Sequence, residues 1–379
     1  MCPTTAPSQS VADIARELGP NLVRSDTACA DEDQFVAENF ARLRASALLQ
    51  AGVPTDLGGG GADVDALAEM LRTLARHCGS TALAFSMHTH QVAMLAWRWR
   101  HHKAAALEPL LKRVVQERIV LVTSGGSDWI AGSGKAEKVD AGYRISARKS
   151  FASAAPAGDL FLTSAVLETG EDPPAVLHFA VPMDSPHVKV LDTWRVLGMC
   201  GTGSHDILID GHIVPEAAVL VRRKAGEWHP LFHLIATMAF PLIYATYLGV
   251  AESARDIAIE LAKRKAPGRH ALQLAGRMET ELTAARLAHQ SMLAAARRKA
   301  PSADTVNQVM IGRQLTERHG IAAVEYALQL AGGSGFYRAH GLERRFRDMQ
   351  AARYHPLQAG PQADYAGAMA LGLPVDQIF

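Results

Sequence analysis

The feature that most limits what this chain can become is its hydrophobic period, which changes twice along its length. From Val11 to about Glu117 the apolar residues recur at helical spacing: Ala66, Met70, Leu74 and Ala75 share one face, with Glu69, Arg72, Arg76 and His77 away from it. Between Arg118 and Arg222 the period falls to two. Tyr143, Ile145 and Ala147 alternate with Arg144, Ser146 and Arg148 after an Asp140-Ala141-Gly142 turn. Further strands are predicted at Ile119–Thr123, Leu160–Val166, Val176–Val181 and Ile207–Ile209. From Glu227 the helical period returns in three stripes: Val250, Ala254, Ile257 and Leu261; Met278, Leu282, Ala285, Met292 and Ala296; Ile321, Val324 and Leu328, which Gly332-Gly333 stops. Short strands without βαβ alternation, flanked by helices, predict an α+β fold. Its expected parts are an N-terminal α-helical domain (1–117), a middle β-barrel or sandwich domain (118–222) and a C-terminal helical bundle domain (223–379).

At 379 residues, 48% hydrophobic and 20% charged, the chain is long enough for more than one packed region. Its 39 basic and 38 acidic residues nearly cancel and form no basic run, so no nucleic-acid partner is expected. Cys2, Cys29, Cys78 and Cys200 are scattered without a CxxC pair, which argues against disulfides and zinc. Met1 to Ser10 lack a basic start and an apolar stretch, so a cytoplasmic location is expected. Leu234 to Ala251 carry no charge for eighteen positions, at the edge of a membrane-spanning length. Pro241, Thr237 and Thr246 within it, and Glu252, Arg255 and Asp256 just after it, predict a buried bundle helix and no membrane.

Several motifs fall in a recognisable order. Pro54-Thr55-Asp56-Leu57-Gly58-Gly59 reads P-x-x-x-G-G; Leu197-Gly198-Met199-Cys200-Gly201-Thr202 reads close to L-G-M-R-G-[ST]; Val214-Pro215-Glu216 leaves the strands. Gln329-Leu330-Ala331-Gly332-Gly333-Ser334-Gly335 and Glu343-Arg344-Arg345-Phe346-Arg347-Asp348 follow, reading Q-x-x-G-G-x-G and E-R-x-x-R-D. Together these resemble the acyl-CoA dehydrogenase superfamily over roughly 300 residues. The resemblance implies helices, a small β domain and a four-helix bundle. It also implies an FAD cofactor and an acyl-CoA or similar acyl thioester as the small-molecule substrate.

The same resemblance assigns candidate cofactor contacts. Thr123-Ser124-Gly125-Gly126-Ser127-Asp128 resembles the family's flavin loop, two residues short and without its Glu-Pro, with Thr123 and Ser127 as candidates. Phe151 and Ser153 stand where an aromatic covers the flavin ring and a hydroxyl meets its N5; an ordinary strand with one inward aromatic is the alternative. Gln329, Gly332, Gly333 and Gly335 resemble the segment that receives the dinucleotide end from a neighbouring subunit, and one of these glycines also suits a helix C-cap. Arg264 or Arg269 resembles the arginine of the pyrophosphate. A homo-oligomer is implied, a tetramer by preference. The apolar Leu234–Ala251 helix is expected to be buried between subunits.

The departures matter as much. Desaturating an acyl thioester requires a carboxylate base, and the family's two Glu positions fall on Pro356 and near Ala239. His355 lies beside the first and is the candidate catalytic residue, with a loop-shaping role as the alternative. Arg353-x-His355, Lys149-x-Phe151-x-Ser153 and the histidines His88 and His90 resemble the superfamily's flavin-dependent monooxygenases. That makes Arg353, His88 and His90 candidate substrate contacts, although the two histidines could equally be core residues. His101-His102 reads as a solvated helix end and His289 lies on an apolar stripe, so no metal site is expected. Three readings stay open. One is a dehydrogenase served by an electron-transfer flavoprotein. Another is a monooxygenase, for N-, S- or C-hydroxylation, fed with reduced FAD or FMN by a flavin reductase. The third is a paralogue without turnover.

Overall fold

The computed structural model describes residues 9–29, 33–124, 129–168, 174–264 and 267–376. Among them, five helices precede the sheet: α1 (Val11–Cys29), α2 (Ala37–Ala45), α3 (Val64–His77), α4 (Gly79–His101) and α5 (Glu108–Gln116). The strands are β1 (Leu121–Thr123), β2 (Lys135–Val139), β3 (Gly142–Ala152), β4 (Leu160–Leu167), β5 (Ala175–Pro182), β6 (Val188–Val190), β7 (His205–Val214) and β8 (Val221–Lys224). The helices α6 (Pro230–Lys263), α7 (Arg269–Arg297), α8 (Ala303–Ala331), α9 (Leu342–Gln350) and α10 (Ala359–Leu371) follow.

The helix starts are chemically marked. The Asp63 carboxylate accepts from the Ala66 N–H at the head of α3, and Ser302 with Thr305 forms a capping box on α8. Pro230 occupies the first turn of α6, where its missing N–H costs nothing. Gly332 ends α8 with φ +60°, its N–H returning to the Gln329 and Leu328 carbonyls.

The strands form one sheet in the order β6-β7-β3-β2-β4-β5-β8, with β1 added alongside β4. The β1–β4 and β2–β4 pairs are parallel and the others antiparallel. The sheet stays open, with β6 and β8 as edges, and so corrects the closed barrel named among the expectations. Strand β2 buries only Ala136, and β6 and β8 are short and rich in Lys and Arg, which is why alternation did not reveal them.

Helix α6 has α3 and α4 against one side and α7 and α8 against the other. This accounts for the uncharged run from Leu234 to Ala251. The apolar window of α6 is 94% buried inside the protomer, so the expected burial of this helix between subunits is not needed. His289 donates from Nε2 to the Pro241 carbonyl (2.8 Å), so this histidine serves the packing of α7 on α6.

Where the charges of α6 resume, Glu252 is 1% exposed and is met by Arg72 (2.5 and 2.8 Å), Arg286 (2.8 Å) and Arg76 (3.4 Å). Burial pushes the Glu252 carboxyl up, but the Arg72 and Arg286 guanidiniums outweigh it and hold the group below its ordinary range. One carboxylate thus ties α3 to α6 and α7. Glu252→Ala strands Arg286 and leaves Arg72 and Arg76 with only Glu69 and Asp256, and a loss of roughly 2 kcal/mol is expected in urea unfolding, short of a fully buried pair. A change within the fitting error would show the cluster to be superficial.

Candidate active site

A cavity of about 680 Å3 lies between α4, the ends of β1 and β3, the middle of β4 and β5, helix α6 and the segment after α9. Helix α4 turns Leu83, Met87, His90, Gln91, Met94 and Arg98 toward it, an i, i+3, i+4 series on one face. Helix α6 contributes Phe232, Ile235, Ala239, Ile243 and Tyr247. Among the described residues no lining side chain is a carboxylate. Pro356 and Ala239, at and near the two positions where the resemblance puts a dehydrogenase's base, both lie in the wall.

At one side of the cavity β3 ends irregularly. Its pairing with β7 shifts between Lys149 and Ala152, and Phe151 takes φ +59°. A bulky residue in this left-handed region is strained, so the surroundings must impose it. The outcome is geometric: the Phe151 ring stands edge-on to Trp194 with centroids 6.3 Å apart, and Ser153 also reaches the cavity. Behind Ser153 runs a file of hydroxyls. Ser153 Oγ is 2.7 Å from Ser204 Oγ, which is 2.7 Å from Thr202 Oγ1, which donates to the Met199 carbonyl at 3.0 Å. The file is self-satisfied in one sense only, Ser153 to Ser204 to Thr202 to Met199. In that sense every O–H has an acceptor and Ser153 turns a lone pair to the cavity. Reversal would turn the Ser153 O–H to the cavity and withdraw the Thr202 O–H from the Met199 carbonyl, at a cost of about one hydrogen bond, ~1 kcal/mol.

Across the cavity, His355 Nε2 lies 2.7 Å from the Tyr247 hydroxyl, and among the described residues its Nδ1 has no partner. Its segment is held from behind by Arg313, fully buried, whose Nη2 donates to the carbonyls of Ala352, Arg353 and His355 at 3.1, 3.3 and 2.8 Å. Glu317 balances that guanidinium at 3.0 Å. The ordinary histidine pKa expected of His355 does not hold. Burial first, then the Arg313 charge and His90, push it down to about 3, so the ring is neutral and a weak base.

The remaining candidates separate cleanly. Thr123 and His90 line the cavity; His90 is fixed by Ser86 O (2.9 Å) and Gln91 Nε2 (3.2 Å). His88 does not line it: Nε2 donates to Leu49 O (2.8 Å) and Nδ1 accepts from Leu121 N–H (3.1 Å), a role in the core. Arg353 is exposed and does not itself line the cavity, but it donates to Gln350, which does. Arg264 and Arg269 stand exposed on either side of the α6–α7 turn. Gln329, Gly332 and Gly333 are exposed and Gly335 is buried, at the end of α8 and away from the cavity lining. Ser127 lies outside the described residues, as do Gly125, Gly126 and Asp128. No group of three or more His, Cys, Asp or Glu that could hold a metal ion occurs among the described residues.

Sequence reasoning missed Trp194, Ser204, Tyr247, Arg313 and Arg98. It also missed Trp129, stacked on Phe232 (5.2 Å, 16°) and held by Arg223, whose Nη2 donates to Trp129 O. Only the Leu197–Thr202 motif, two residues before Ser204, gave a signal.

Comparison with known proteins agrees with this architecture. The acyl-CoA dehydrogenase N-terminal domain matches residues 6–112 and the acyl-CoA dehydrogenase C-terminal domain residues 242–358. Amino sugar nitrososynthase DnmZ of Streptomyces peucetius is 29% identical over 392 residues, covering 98% of this chain and 95% of that protein. The putative acyl-CoA dehydrogenase YdbM of Bacillus subtilis (strain 168) is 26% identical, covering 87% and 89%. The structure of KijD3 in complex with FMN and dTDP-3-amino-2,3,6-trideoxy-4-keto-3-methyl-D-glucose superposes with a TM-score of 0.89 at 26% identity, covering 98% of this chain and 96% of that one.

The buried histidines give the fold a defined acid response. Burial lowers His88 and His90 from 6.5 to about 4, so the unfolded chain takes up these protons first as pH falls. Stability is therefore full above pH 6.5 and is lost as pH drops toward 4. His88→Gln can keep both core hydrogen bonds without titrating. It is expected to remove about 1.4 kcal/mol per pH unit from the slope of unfolding free energy in that window. An unchanged slope would mean that His88 titrates normally in the native state.

Proposed function

The chain belongs to the acyl-CoA dehydrogenase superfamily, and from that premise we propose that it is a flavin-dependent monooxygenase supplied with reduced flavin by a separate reductase. The observation that carries this is the cavity wall: no described lining residue is acidic, at Pro356 and around Ala239 as elsewhere, the places where the resemblance puts the two usual bases. An acyl thioester's α-proton is too weak an acid to leave without a positioned base. Oxygen transfer has no such requirement. When bound, reduced flavin supplies the two electrons that let one atom of dioxygen enter the substrate and the other leave as water.

The residues present suit a flavin. Ser153, Thr123 and the Phe151–Trp194 pair surround a space of adequate size, and Ser153 offers a lone pair where the N5–H of reduced flavin would stand. FMN is the cofactor we assign, in place of the FAD expected from the Gln329–Gly335 motif, because KijD3 holds FMN. His355 and Tyr247 are assigned to substrate positioning and proton handling through the unpartnered Nδ1. For substrate chemistry, N-oxygenation of a primary amine is preferred, by similarity to the nitrososynthases. A cavity without a described carboxylate also favours the neutral, nucleophilic amine over its ammonium form. Self-association is part of the same proposal, since Phe336 and Tyr337 beside the glycine motif are 87% and 67% exposed.

The test is to reduce the purified flavoprotein without oxygen and then admit it. A slow phase before oxidised-flavin absorbance returns is expected, while straight-chain acyl-CoA thioesters leave the oxidised flavin unbleached. Rapid bleaching by an acyl-CoA, with single-step reoxidation, would return the chain to the dehydrogenases.

A further inference from the structure

Arg98 is a cavity residue that neither the family motifs nor the proposed oxygen chemistry uses. It lies eight residues beyond His90 on the same face of α4, about 12 Å along the helix axis. Among the described residues its guanidinium has no hydrogen-bond or ion-pair partner. The other arginine in the lining, Arg347, is neutralised by Glu343 at 2.7 Å. Arg98 is half-buried, and desolvation lowers its pKa, with no opposing charge acting on it among the described residues. An arginine nonetheless stays protonated, so its charge is left uncompensated by the described residues. Between it and His90 the same face offers Gln91, Met94 and Leu95, an amide and two apolar side chains.

We propose that Arg98 seats the anionic end, a carboxylate or phosphate, of an amphipathic molecule whose apolar body lies along α4 and whose other end reaches toward His90. The guanidinium fork suits either anion in bidentate fashion. About 12 Å separates the charge from the reacting region, so the ligand is elongated. Identification of that region as reactive rests on the monooxygenase reading; the anion seat rests on α4 alone. The anion can belong to the substrate or to the flavin's phosphate, and both arms can be measured.

Trp129 and Trp194 line the cavity and report binding by fluorescence. The full-length protein is titrated with 4-phenylbutyrate and its neutral amide, and separately with FMN and riboflavin. At least one anionic member is expected to bind about 10- to 100-fold tighter than its neutral counterpart. Arg98→Ala is expected to abolish that preference and leave the neutral affinity unchanged, with Arg98→Lys restoring part of it. Loss confined to the FMN–riboflavin pair assigns the seat to the cofactor's phosphate; loss confined to the phenylbutyrate pair assigns it to substrate. Arg98→Gln serves if the alanine variant fails to fold. Equal binding of anionic and neutral members to the unmodified protein, or preferences untouched in both Arg98→Ala and Arg98→Gln, would overturn the proposal. An acyl-CoA result in the oxygen experiment would leave these ratios as they are.

Discussion

The Met199 N–H donates to the Asp348 carboxylate at 2.5 Å, joining residues 149 apart in sequence. Much of the site hangs from this bond. It fixes the turn whose carbonyl at Met199 receives the hydroxyl file from Ser153 and also accepts the Trp194 indole N–H at 3.3 Å. Gly198 lets the turn sit directly on α9: a Cβ there would lie 2.2 Å from the Arg347 carbonyl oxygen. Helix α9 is itself anchored by buried Arg345, which donates to His77 O and Ser253 Oγ, both at 3.3 Å. The wall that presents Ser153 therefore belongs to the sheet but takes its position from the bundle.

A second buried arginine does the same for the opposite wall. Arg313 collects three carbonyls of the 352–355 segment, so His355 is placed by a cation it does not touch through its ring. That cation also helps keep the ring neutral. The consequence is a cavity whose described titratable walls are histidines, tyrosines and arginines, with no described carboxylate to draw off a carbon-bound proton. Such an environment favours chemistry in which the substrate attacks as a neutral nucleophile.

The change of hydrophobic period made the order of helices and strands legible, because amphipathicity is a local property. What it hid was non-local. The inner strand β2 is mostly charged and the edges β6 and β8 are too short to show a period, and an eighteen-residue apolar run does not disclose which helices of its own chain pack against it. At the site, residues within a strand-end motif or beside the lost base were readable: Thr123, Phe151, Ser153 and His355 all line the cavity. His88 and His90 are two positions apart on a helix and so point to nearly opposite sides, yet only the fold tells which side is the cavity. Ser204, Tyr247 and Arg313 act through contacts 51, 108 and 42 residues distant, beyond any spacing argument.

If the site is built for reduced flavin, its hydroxyl file should discriminate between redox states of the bare cofactor. The decisive measurement is the affinity for reduced and for oxidised FMN, both taken anaerobically, in the unmodified protein and in Ser204→Ala. One oriented hydrogen bond predicts that the reduced form binds more tightly by about 3- to 10-fold. Removing Ser204 takes away the acceptor for the Ser153 O–H, which then turns to the cavity as a donor, so the ratio should fall to parity or below. Equal or tighter binding of oxidised FMN to the unmodified protein, with a ratio indifferent to Ser204→Ala, would contradict a site organised around reduced flavin.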